Sequence, residues 1–215
     1  MNTVKPKEQL EAVRNMFKNH REHSDGVDQQ MFFFSDKIEY PLAIIHLPPF
    51  SNEVEKQQVF RLAFGCLNAF QTERIVLASD VWVNGMTPDE YDEWMKENKS
   101  LKDNPKSSSA LMTVMYTNDN KIFSVVDEYG MNDDGTMFFK QDNKFDEDNL
   151  EKAIGLVPDI AREAYKLLYD DAKVHDAKHT NQYFAMLHEM GFLIGMSDMM
   201  FDSLGLNAFT NDEEE

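Results

Sequence analysis

His175 and His179 stand four residues apart in the run His175-Asp176-Ala177-Lys178-His179. Side chains at i and i+4 share one face of a helix, so two imidazoles spaced this way could hold one divalent ion. His188 or Glu189 would supply a third ligand, and Asp176 would take the place of a zincin's glutamate, giving a metal-dependent hydrolase. The competing reading is a solvated loop. The run separates two helical patterns, Thr180 has the character of a cap for the second, and a turn there would part the imidazoles. Asp80 is the second candidate. It lies in an otherwise apolar stretch beside Trp82, where a carboxylate costs free energy unless it is partnered or faces solvent. Cys66, the only cysteine, sits in an apolar stripe with no local base, which marks a core residue rather than a nucleophile.

Standard catalytic signatures are missing from the chain: it has no P-loop, dinucleotide glycine motif, nucleophile elbow, zinc-type cysteine pair or kinase motif. No cofactor is therefore expected. The acidic stretch around Gly135 fails as an EF-hand, because Gly130 would fall where the first carboxylate ligand belongs. Asn132-Asp133-Asp134-Gly135 reads instead as a turn. Carboxylates are abundant, and abundance alone selects no acid–base pair.

The insertion 84–109 is the stretch most suggestive of recognition. Thr87-Pro88-Asp89-Glu90 spells a capped helix start, with proline at the first helical position and Glu90 reaching back to the cap. The short helix carries Tyr91 and Trp94, and Lys96, Lys99, Lys102 and Lys106 follow. A long insertion between paired strands is often functional. Trp94, Tyr91, Lys96, Lys99, Lys102 and Asp80 are accordingly the expected partner-binding residues, with the arm acting as a lid. An arm folded onto an acidic body, its lysines neutralising carboxylates, is the alternative.

These residues need a scaffold. The chain has 215 residues, 42% of them hydrophobic, enough for a substantial core. Helices are expected over 6–21 and 52–72, the second capped by Ser51. Strands are expected at 31–35, 42–47, 74–83, 110–117, 121–129 and 136–141, the last three as a meander beside the strand that carries Trp82. A helical pattern from Leu150 is interrupted at Pro158, which is placed to start a second helix. Thr180 to Ser203 reads as one methionine-rich helix, with Gly191 and Gly195 four apart for close helix approach. The expected fold is α+β: an antiparallel sheet of about five strands packed by helices, with two C-terminal helices. Residues 1–206 form one domain in this reading, and 207–215 an acidic flexible tail.

The net charge of −18 opposes nucleic-acid and anionic-membrane binding. No stretch has the length of a membrane span or the pattern of a signal peptide, and one cysteine fits a reducing, cytoplasmic setting.

The stretch Ala78–Gly135 resembles a layout found in uncharacterised phage-encoded and bacterial α+β proteins. Its elements are Asp80-Val81-Trp82, a polar insertion, Asn104-Pro105-Lys106 and Ala110-Leu111-Met112-Thr113-Val114. Where that layout carries arginine and glutamate after the proline, Ser107–Ser109 stand here. The resemblance implies a viral origin and no particular activity. The expectation, motivated by the missing motifs and the acidic surface, is a non-catalytic acidic accessory protein acting on a protein partner; 180–203 reads as an internal core helix, with a homodimer interface through it as the alternative. A DNA-mimic inhibitor and the His175/His179 hydrolase are the alternatives.

Overall fold

The computed structural model describes residues 3–23, 28–97, 103–134, 136–141, 143–170 and 177–203. In chain order the elements are α1 (Pro6–Glu22), β1 (Gln30–Phe34), β2 (Ala43–His46), α2 (Glu53–Phe70), β3 (Arg74–Asn84) and α3 (Pro88–Lys96). Then come β4 (Ser107–Thr117), β5 (Lys121–Met131), β6 (Met137–Phe139), β7 (Asp146–Asn149), α4 (Leu156–Asp170), α5 (Ala177–Glu189), β8 (Leu193–Met196) and α6 (Asp198–Ser203). The fold is α+β, built on an open antiparallel sheet in the order β6-β5-β4-β3-β1-β2-β8, with β7 also paired to β5.

Alternation along the strands divides the core between two faces of the sheet. Phe32 and Phe34 of β1 join Leu10, Val13 and Phe17 of α1 on one face, with Val76, Met115 and Phe123. Met31 and Phe33 point to the other face, against Phe60, Phe64 and Leu67 of α2 and Ile160 and Tyr165 of α4. Each fully buried phenylalanine contributes roughly 1.5–3 kcal/mol. Tyr165 closes this second layer by donating its hydroxyl to the Tyr116 carbonyl at 2.8 Å. Arg74 ties the N-terminal segment down by donating to the Val4 carbonyl and to Gln9 Oε1, both at 2.8 Å.

The expected meander is present as β3-β4-β5-β6, and Pro158 lies in the first turn of α4 after a 3-10 turn at Leu150–Lys152. Several expectations are corrected. Eight strands are found among the described residues, not about five. The cap of α2 is Asn52, whose Oδ1 accepts from the Val54 and Glu55 amides, not Ser51. Asp146–Asn149, fully polar and exposed, pairs with β5 as β7.

The largest correction concerns 180–203, which is not one helix. Gly191 takes φ +88° and ends α5. Its amide donates to the His188 carbonyl at 3.0 Å, and the Phe192 amide donates to the Leu187 carbonyl at 3.0 Å. That is a Schellman closure, and the buried Leu187 and Phe192 give it the apolar contact such closures carry. Gly195 lies in β8, paired with Ile44, and serves no helix packing. The expected core helix, and with it the alternative dimer face, is therefore divided among α5, β8 and α6, and the C-terminal helices number more than two.

Cys66 is wholly buried in α2, as its stripe predicts, and burial pushes its thiol pKa far above the usual range. A colourless aromatic disulfide reagent should leave the native protein unlabelled over an hour and label one thiol per chain in denaturant. Rapid labelling of the native protein would contradict the packing of α2.

Candidate functional site

Strand β3 keeps its pairing with β4 for all eleven residues. Burial along β3 falls from complete at Ile75–Ala78 to exposed at Trp82 and Asn84. One cross-strand row there places Trp82 opposite Ser109, Ser109 opposite Tyr129, and Tyr129 opposite Phe139. Directly paired residues share a face, so three aromatic rings line one side of the sheet.

The C-terminal half of α1 caps two of the three. The Arg21 guanidinium lies 4.8 Å from the Tyr129 ring centre, and the Lys18 ammonium 4.7 Å from that of Phe139. Tyr129 and Phe139 pack edge to face at 6.2 Å. Trp82 ends the row with 48% of its surface open. Met131, two residues beyond Tyr129 and so on the same face, is 59% exposed.

Asp80 sits one turn of the pleat inside Trp82, on the same face. It accepts from the Tyr129 hydroxyl at 2.7 Å and pairs with Arg21 Nε at 3.2 Å. Burial, and then the bond to Asp80, push the Tyr129 phenol up. A carboxylate partnered in this way holds Tyr129 and Arg21 in place beside it. Deeper in, Asp127 is completely buried. Arg14 grips it with two bonds, Nε to Oδ2 at 2.7 Å and Nη2 to Oδ1 at 2.6 Å, and Lys18 lies 3.2 Å from Oδ1. Sequence reasoning missed this array. Arg14, Lys18 and Arg21 follow each other at i, i+4 and i+7 beside the apolar stripe of α1, and that spacing was its available signal.

The arm forms as its capping signal predicts. The Thr87 amide donates to Glu90 Oε2 at 2.9 Å, and the Glu90 amide donates to Thr87 Oγ1 at 3.4 Å. Lys106 donates to Glu90 Oε1 at 2.7 Å, tying the helix back to β4. The Lys106 bond and then the Thr87 amide hold the Glu90 carboxyl below its usual range. Tyr91, Met95 and Lys96 are exposed on α3, and Trp94 is partly buried. Lys99 and Lys102 lie outside the described residues. The arm as a whole, 84–109, carries six carboxylates and four lysines, so it is acidic despite its lysines.

The structure thus brings Asp80 together with Tyr129 and Arg21, and it places Tyr91, Trp94 and Lys96 on one short helix. His175 lies outside the described residues, and of His179 only its place in α5 is described. Among the described residues no group of three or more metal-ligating side chains is clustered, and no helix is long and apolar enough to cross a membrane. Comparison of the chain with known protein families, curated proteins and solved structures finds no match.

Proposed function

We propose that this chain is a non-catalytic acidic binding protein that docks a protein partner through the exposed end of β3 and its arm. A phage-encoded accessory protein acting in the host cytoplasm is the setting that the resemblance of 78–135 suggests. The observation that carries the reading is Trp82. It is the one member of the three-ring row left without a cation from α1, and exposed Met131 lies on the same face of the sheet, two strands away. Exposed tryptophan is the residue type most enriched where binding energy concentrates. The −18 charge favours a partner that brings a lysine or arginine, which could seat on the open ring as Arg21 and Lys18 seat on its neighbours. Glu90, Glu128 and Asp80 are held by Lys106, Lys140 and Arg21, which weakens the DNA-mimic alternative.

The test is affinity capture with matched proteins. Trp82→Ala should cost about 2–4 kcal/mol of binding, or roughly thirty- to a thousandfold in affinity for the captured partner. Because the ring is half open, Tm should change by only about 2 °C. A partner that binds the variant and the parent equally well rejects this surface.

A further inference from the structure

We propose that the open edge of β8 receives an extended segment of a protein partner as an added antiparallel strand, apolar at alternate positions and flanked by lysine or arginine. This surface shares no residue with the Trp82 face. Among the described residues the sheet order ends at β8. Its bonding phase follows from register: the Ser197 amide donates to the Leu42 carbonyl at 2.9 Å, and the pairs Ile44–Gly195 and His46–Leu193 continue that alternation. Leu193 and Gly195 therefore turn their backbone groups toward β2, while Ile194 and Met196 turn theirs toward the open edge. The side chains of Ile194 and Met196 pack against the core. Leu193, 57% exposed, and Gly195 leave the opposite face open. The outward N–H and C=O groups of an edge strand are what an added extended segment pairs with.

Charge selects the occupant. Between Thr180 and Ser203 the sequence has three carboxylates and no lysine or arginine. Glu189 and Asp198, both exposed, bracket β8 in sequence. A second copy of this chain would set like charges against like, whereas a cationic-flanked strand would be attracted.

The probe is a synthetic peptide, Thr-Val repeated three times between paired lysines, titrated into the full chain. It should move the amide resonances of Ile194 and Met196 and bind about tenfold tighter than its glutamate-flanked counterpart. N-methylation at alternate amides should weaken it at least about tenfold, because the added ladder bonds are lost. Met196→Pro should do the same while leaving the β2 ladder intact, since its amide faces outward. If that variant does not fold, the N-methylated peptide decides alone. Trp82→Ala should leave peptide binding unchanged, which separates this test from that of the Trp82 surface. Equal binding of the N-methylated or glutamate-flanked peptide overturns the proposal. So does a dimer in sedimentation that Met196→Pro dissolves, which would make a second copy the occupant.

Discussion

Asp127→Ala should lower the stability of the protein by about 3–5 kcal/mol. The carboxylate is completely buried and holds the buried Arg14 by two short bonds, with Lys18 3.2 Å away. Removing it leaves a guanidinium sealed between α1 and the sheet with its strongest counter-charge gone. The Asn143 carbonyl, 3.1 Å away, is uncharged, and Glu11, 3.4 Å away, is half exposed. For a chain of this length the loss reads as a fall in Tm of roughly 6–20 °C. The double variant Asp127→Leu with Arg14→Met should recover at least half of that loss, because the buried guanidinium is then gone together with its counter-charge. A single variant that melts within about 3 °C of the parent would sink this account of how α1 is held.

Phe192→Ala should cost a comparable amount, about 3–5 kcal/mol, from lost burial and the cavity left behind. Phe192 is completely inaccessible and belongs to the core beneath α2. It is also the apolar half of the closure that ends α5 and aims β8 at β2. Two readouts check it: a fall in Tm, and faster hydrogen exchange at the Leu193 and Gly195 amides, which face β2. Loss of Tm with unchanged exchange at those two amides would mean that Phe192 does not hold β8 in place.

The same residues show what the sequence does and does not disclose. The arm helix is legible because its signal is local: cap, proline and glutamate lie within four residues and satisfy one another there. The α2 stripe is legible because one face must be buried whatever it packs against. β8 is not, since a four-residue apolar run fits a helix or a strand equally. Gly191 decides between them, and the pair Leu187 and Phe192 around it was the clue to a helix end. β7 has no apolar pattern at all; its pairing to β5 is carried by backbone bonds, and the Leu150 amide extends that ladder by donating to the Asn120 carbonyl. The candidate site divides the same way. Asp80 stands out in the sequence as an acid in an apolar strand, but its partners do not. Arg21 and Tyr129 come from α1 and β5, so neither the bond that satisfies Asp80 nor the openness of Trp82 can be foreseen without the sheet's register.

The place of β8 beside β2 has a consequence for how the chain is made. Strands β3 to β6 are neighbours both in sequence and in the sheet, so each has its partner soon after it is made. β2 is synthesised early, yet the strand that covers its outer side is among the last to appear. At about 5–20 residues per second, that side stands uncovered for of order ten seconds in every nascent chain. During that interval Ile44 and Ile45 border an unpaired ladder, the geometry from which intermolecular sheets nucleate. Chains cut short before Leu193 would never leave that condition. The yield of native protein would then depend on translation speed and on chaperones that shield β2 until its late neighbour arrives.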